Sequence, residues 1–405
     1  MRIAYITYEY PPEIENGGIA TYTKQISQII HKLGHEVSVF CATSGNSSVK
    51  IENGAVIFRC QTESVEKFAD DVLPIFSAAH LQNPFDLFES PEIHAHGLEI
   101  KKKFPQLPLI VRLHMASFIQ QKLLRAYISL FTKFRFWLGN LRHGKWRFLD
   151  DYNYKMDPEY RFTSLAEGIT SPSLDQKRLI CESWGIPPEK IETIPNPFDP
   201  GEVYLNIPVR KKIENLVCFI GKLNTHKGMV SLAKAIPLVL KRHPDTRFLL
   251  IGKDSFFFAE RMMMSDFIRK TVGRNMNRVT IMDSVPHNEI PEILKDTSLC
   301  VFPSLWEAFG LVCLEAMSAG RMVIGSKNGG MSEILSGDAG MLIDPENYRE
   351  IATQICRGIE NEDLRYELGE RGRAKAQNNY SSHIIGPAME SYYQKIIRGG
   401  TQATG

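Results

Sequence analysis

The stretch Leu299-Cys300-Val301-Phe302-Pro303-Ser304-Leu305-Trp306-Glu307-Ala308-Phe309-Gly310-Leu311-Val312-Cys313-Leu314-Glu315-Ala316-Met317-Ser318-Ala319-Gly320 passes from one apolar run, through a turn, into another. Leu299 to Phe302 reads as a strand, Gly310 allows a tight turn, and Leu311 to Ala319 reads as a helix stopped by Gly320. The first amides of such a helix have no partner inside it and sit at the positive end of its dipole, which makes them a seat for phosphate. Glu307 and Glu315 flank that seat. A carboxylate facing sugar or ribose hydroxyls accepts two hydrogen bonds in fixed geometry, so the arrangement suits a ligand carrying both diphosphate and sugar. A nucleotide sugar meets that description.

The same alternation of strand and helix patterns runs along the whole chain and predicts an α/β fold with doubly wound parallel sheets. In the first half, strands are expected at Arg2 to Tyr8, Glu36 to Cys41, Ala55 to Arg59, Phe85 to Glu89, Pro108 to Leu113 and Lys190 to Ile194. Ile19, Tyr22, Ile26, Ile29, Ile30 and Leu33 form one apolar helical stripe, ended by Gly34. In the second half, strands are expected at Leu216 to Ile220, Arg247 to Ile251, Arg278 to Met282, Leu299 to Phe302, Met322 to Ile324 and Met341 to Ile343. Pro195-Asn196-Pro197-Phe198-Asp199-Pro200-Gly201, dense in turn formers, reads as the linker between the halves.

Composition agrees with two globular domains: 405 residues, 43% hydrophobic and 23% charged. Seven cysteines, without a C-x-x-C pair and several inside apolar runs, read as buried thiols of a reducing compartment. The chain opens directly in a strand pattern, and no uncharged apolar segment nears the ~18 residues of a membrane span, so a cytoplasmic protein is expected.

Net charge is only +2, but it is unevenly spread. Between Glu99 and Asp150 no acidic residue occurs, while Lys101, Lys102, Lys103, Arg112, Lys122, Arg125, Lys133, Arg135, Arg142, Lys145 and Arg147 are all cationic. Phe118, Tyr127, Phe131, Phe134, Phe136, Trp137, Trp146 and Phe148 interleave with them. One reading is a peripheral contact with an anionic membrane surface or a lipid-linked phosphate; the other is core aromatics beside a solvated charged face. No nucleic acid partner is expected.

The Glu307 to Glu315 pattern resembles the E-x7-E signature of retaining glycosyltransferases of family 4, down to Phe-Gly after the first Glu and Glu-Ala-Met-Ser-Ala-Gly at the second. The resemblance implies the GT-B architecture, two Rossmann-like domains facing across a cleft, with a last helix that returns to the first domain. Residues 1–198 with a helix from about 380 to 405 are then the acceptor side, and residues 199–379 the donor side. Tyr380 to Ile397 supplies the apolar stripe of the returning helix.

By that resemblance, Glu315 holds the donor ribose, Glu307 faces the donor sugar, and the backbone of Phe309, Gly310 and Leu311 approaches sugar and phosphate. Gly221-Lys222-Leu223-Asn224-Thr225-His226-Lys227-Gly228 resembles the family's G-R-L-x-x-x-K-G element, whose two cations neutralise the diphosphate. Lys227 matches, whereas Lys222 replaces arginine and turns a bidentate grip into a point contact. Gly17 and Gly18, within a string that resembles the family's first loop, precede a helix and allow close approach of backbone amides to a phosphate. They lack the G-x-G-x-x-G spacing of a dinucleotide fingerprint. His114, after the Pro108 to Leu113 strand, takes the position of a histidine that contacts the donor sugar, and Ser284 and Val285 that of backbone contacts to the base. His94 and His96 lack a third ligand at diagnostic spacing and read as structural or acceptor-side.

The function so implied is transfer, with retention, of a hexose-type sugar from a UDP-, GDP- or ADP-sugar to a hydroxyl of a carbohydrate or lipid-linked saccharide, in polysaccharide or O-antigen assembly. His114, Glu307 and Lys227 are the expected catalytic residues. No cofactor or metal is expected, since the nucleotide sugar is a substrate and the chain has no Asp-x-Asp. The competing readings are a nucleotide-sugar epimerase of the same architecture and a catalytically weak nucleotide-sugar-binding module at a membrane.

Overall fold

The computed structural model describes residues 1–14, 17–143, 148–149, 151–211 and 214–402. Lys145, Trp146 and Arg147 of the basic stretch lie outside the described residues. The chain divides into two compact units, one of Met1–Ser117, Asn153–Asp199 and Tyr380–Gly405, the other of Phe118–Tyr152 and Pro200–Asn379.

In the first unit, eight strands form one sheet: β1 (Arg2–Ile6), β2 (Glu36–Thr43), β3 (Ser48–Glu52), β4 (Ala55–Gln61), β5 (Leu87–Pro91), β6 (Leu109–Arg112), β7 (Gly168–Ser171) and β8 (Ile191–Thr193). Their order is β3-β4-β2-β1-β5-β6-β7-β8, parallel throughout except for the edge pair β3 and β4. The Gly18–Lys32 helix turns Tyr22, Ile26 and Ile30 onto a core shared with Ile3, Tyr5, Val37, Val39 and Leu87. Burial of each such side chain contributes about 1.5–3 kcal/mol. The last helix, Ser382–Gln402, adds Ile385, Met389, Tyr392 and Tyr393 to the same core. It starts later than Tyr380, which instead ends the preceding Glu362–Tyr380 helix.

In the second unit, six strands form a wholly parallel sheet: β9 (Leu216–Ile220), β10 (Arg247–Ile251), β13 (Val279–Met282), β14 (Leu299–Phe302), β15 (Met322–Ser326) and β16 (Met341–Ile343). A small hairpin of β11 (Phe256–Phe257) and β12 (Met262–Met263) stands apart. The sheet order is β13-β10-β9-β14-β15-β16. β9 therefore lies in the middle, and the chain winds outward from it first one way and then the other. Ligands of open parallel sheets bind beyond the carboxyl ends of the strands at such a switch point. Here that point is flanked by the loops after β9 and β14, which are Gly221 to Gly228 and Pro303 to Gly310.

Candidate functional site

The two switch-point loops of the second unit are tied together through backbone and side chains. The Leu305 N–H donates to the His226 carbonyl at 2.8 Å, and His226 Nε2 donates to the Trp306 carbonyl at 2.8 Å. Asn224 Oδ1 accepts the Lys227 N–H at 2.9 Å, which fixes the turn before the Met229–Arg242 helix. Gly228 closes that turn at φ 74°, and a Cβ there would come within 1.7 Å of the Pro303 carbonyl oxygen. Only glycine allows this approach of the two loops.

The approach sets Lys227 Nζ against the Glu307 carboxylate as an ion pair. Ser304 Oγ donates to Glu307 Oε1 at 3.1 Å, and His226 Nε2 stands 3.7 Å from the same oxygen. Burial by itself raises the Glu307 carboxyl, but the Lys227 charge, His226 and the hydrogen bonds from Lys227 and Ser304 outweigh it and hold the group below the usual carboxylate range. Glu307 thus stays ionised although the residue is only 8% exposed. Lys222, from the same loop as Lys227, is exposed.

Gly310, at φ 112°, starts the Leu311–Ser318 helix, with Phe309 buried behind it. The expected helix is present and ends one residue earlier than the reading to Ala319. Its opening amides lie directly after the Glu307 loop, and four residues into the helix stands Glu315. His287 Nε2 lies 2.9 Å from Glu315 Oε1. His287 follows β13 in the loop that carries Ser284 and Val285. Ser284 is exposed, and its N–H donates to Asp283 Oδ1 at 2.7 Å. Tyr204, on the short Glu202–Leu205 helix, stands beside the pair, its ring centre 6.4 Å from that of His287.

His114, in the first unit, lies two residues past β6. Its N–H donates to both Glu92 carboxylate oxygens at 2.9 Å, and its carbonyl accepts from Gln176 Nε2 at 2.8 Å. The Tyr22 ring meets the imidazole edge-on at 5.3 Å. His114 Nε2 is buried without a hydrogen-bond partner among the described residues. Burial, helped by Arg112, lowers the imidazole to about 3, so the ring is neutral and acts through hydrogen bonds rather than charge. Arg112 itself holds the Ile194 carbonyl at 2.8 Å and Asn196 Oδ1 at 2.6 Å, which anchors the start of the linker. Glu92, buried and facing the charge of Glu159, is raised to about 8.

Gly17 and Gly18 are exposed at the start of the Gly18–Lys32 helix, and among the described residues no atom lies within 4 Å of a Cβ built on either. His96 donates from Nε2 to the Val65 carbonyl at 3.1 Å and is lowered by burial to about 4, as a structural histidine would be. Among the described residues no group of three or more His, Cys, Asp or Glu is placed to hold a metal ion. No helix among them is long and apolar enough to cross a membrane.

The structure thus brings Lys222, Lys227, Glu307, Phe309, Gly310 and Leu311 to the two adjoining loops of the second unit, and links the Ser284 loop to Glu315 through His287. It places His114, Gly17 and Gly18 in the first unit. Asn224, His226, Ser304, Tyr204, His287 and Glu92 were not singled out from the sequence. Asn224 and His226 adjoin Lys227 and were legible as polar loop residues. Ser304 lies three residues from its partner Glu307, whereas Tyr204, His287 and Glu92 meet theirs only across long separations, such as 28 residues for His287 and Glu315.

Residues 16–202 match the family model of Glycosyltransferase Family 4, and residues 204–375 that of Glycosyl transferases group 1. An uncharacterized glycosyltransferase of Methanocaldococcus jannaschii is 24% identical over 409 residues, spanning 97% of this chain and 98% of the relative. Among solved structures, sucrose-phosphate synthase of Thermosynechococcus elongatus superposes with a TM-score of 0.73 at 20% identity, over 98% of this chain and 99% of that one. The Anabaena protein HepE, solved in complex with UDP-glucose, superposes with a TM-score of 0.69 at 17% identity, over 98% and 100%. At these identities the structural likenesses show the fold.

Proposed function

We propose, for a chain that belongs to the glycosyltransferases pairing a family 4 domain with a group 1 domain, that it moves a hexose-type sugar from a nucleoside diphosphate to an acceptor hydroxyl with retention at the anomeric carbon. The observation that carries this reading is the buried, ionised Glu307 paired with Lys227 one turn ahead of the Gly310 helix start.

Breaking the bond between an anomeric carbon and a diphosphate develops negative charge on the leaving phosphate and positive charge on the sugar. Lys227, Lys222 and the amides of Leu311 onward meet the first. Glu307, already ionised and oriented by Ser304, meets the hydroxyls of a sugar beside the second. Donor binding exchanges the Lys227–Glu307 pair for Lys227 to phosphate and Glu307 to sugar, so neither charge is left buried and alone. Glu315 takes the ribose, and Ser284 and Val285 the base. His114 takes the family role at the sugar, for which a neutral imidazole whose Nε2 has no hydrogen-bond partner among the described residues is chemically suited. Retention, the hexose and a lipid-linked acceptor at a cytoplasmic membrane face rest on the family resemblance and on the basic, aromatic stretch.

The test is incubation of the purified protein with UDP-, GDP- and ADP-hexoses, with and without lipid-linked saccharide, while nucleoside diphosphate release is measured. Release that depends on the acceptor and persists in EDTA is expected. Donor binding without release would favour a binding module, release abolished by EDTA would overturn metal independence, and a change of sugar configuration without transfer would favour an epimerase.

A further inference from the structure

We propose that His287 is a latch on Glu315, which a ribose diol displaces, and that the Tyr204 hydroxyl is the third polar group of the same nucleoside subsite. The inference rests on the donor reading above and adds two residues that the family pattern did not assign. The imidazole stands 2.9 Å from Glu315 Oε1 and occupies the carboxylate oxygen that a ribose hydroxyl would use. Its side chain is 68% exposed, whereas that of Glu315 is 12% exposed. The carboxylate is therefore fixed in the fold and the histidine is the partner that can leave.

An imidazole offers one N–H to the carboxylate, while vicinal ribose hydroxyls offer two O–H groups, one to each oxygen. An ion pair or hydrogen bond with one largely exposed partner holds weakly, so the exchange is favourable once a diphosphate is seated nearby. Tyr204 supplies the second observation. Its residue is only 4% exposed, and its hydroxyl is buried with no hydrogen-bond partner among the described residues. Burial and the neighbouring Glu315 charge push the phenol up, so it remains a neutral donor. A buried hydroxyl left without a partner costs free energy until a ligand atom completes it.

Isothermal titration at constant pH and salt tests this. Of UDP, GDP and ADP, the one that binds the wild-type chain most tightly is compared with its 2′,3′-dideoxy analogue on wild type, His287→Ala and Tyr204→Phe. His287→Ala is expected to bind the ribonucleotide about two- to fivefold more tightly, the range of an exposed pair, with no change for the dideoxy analogue. Tyr204→Phe is expected to weaken the ribonucleotide about fivefold. Unchanged or weaker binding by His287→Ala, or an equal gain for both ligands, overturns the latch. Unchanged binding by Tyr204→Phe removes the hydroxyl from the subsite. If no nucleoside diphosphate binds the wild type, the donor reading falls and takes the latch with it.

Discussion

Glu92 and Glu307 are both buried carboxyls, yet their surroundings push them in opposite directions. Glu307 faces Lys227 and is held below the usual range, whereas Glu92 is buried against the Glu159 charge and rises to about 8. The consequence for stability follows from linkage. The unfolded Glu92 carboxyl titrates near ~4.3, so between there and about 8 the folded state holds more proton than the unfolded one. Stability from this group is complete below the unfolded value and is lost as pH rises through about 8. Denaturant unfolding from pH 5 to 8 should therefore show stability falling with pH, and Glu92→Gln should flatten the fall while the amide oxygen still accepts the His114 N–H. An unchanged slope would show that Glu92 does not titrate in this window. The position of Lys227 and Glu307 was legible because both stand in short loops between apolar runs. The roles of Glu92 and His287 were not, because nothing in Pro91-Glu92-Ile93 or Pro286-His287-Asn288 marks a partner that lies 22 or 28 residues away.

At the scale of elements, the strands read most sharply are those with continuous apolar runs between turn formers. Leu216–Ile220, Arg247–Ile251, Leu299–Phe302 and Met341–Ile343 have the expected bounds. β7, Gly168–Ser171, escaped because Ile169 is its one large apolar residue. Its hydrogen bonding is completed by the Tyr392 hydroxyl, which accepts the Ile169 N–H at 3.0 Å from 223 residues away. β3 escaped because it is an exposed edge strand, with Val49 59% and Ile51 77% accessible. The loop contact at Gly228 makes a prediction of its own. Gly228→Ala should cost at least about 2 kcal/mol, since both the positive φ and the Pro303 carbonyl oppose a side chain. Gly17→Ala, in extended backbone with no atom of the described residues near the new Cβ, should leave the melting temperature unchanged, and equal losses from both would show that the Gly228 contact with Pro303 is not what opposes a side chain. The Leu130–Arg142 helix has no buried residue and exposes Leu130, Phe131 and Phe134 alongside Lys133 and Arg135. Flotation with anionic phosphatidylglycerol vesicles should therefore recover the wild type, and Phe131→Ser with Phe134→Ser should lower recovery severalfold. Equal recovery of the two forms would assign the helix to another contact.

At the scale of the whole chain, two sheets carry two sets of loops, and both were legible as fold because parallel strands buried on two faces write themselves as apolar runs. Family membership follows from matches to both halves. Its chemistry turns on whether Lys227 and Glu307 handle a departing diphosphate. The most direct measurement is acceptor-dependent release of nucleoside diphosphate by wild type, Lys227→Ala and Glu307→Gln, each checked for folding by circular dichroism. Removing Lys227 also leaves Glu307 without its main partner, so a stability loss of about 2 kcal/mol should accompany the kinetic one. Release by the wild type and a loss of at least about a hundredfold in turnover for each folded variant are expected. Full release by either variant would contradict that role of Lys227 and Glu307.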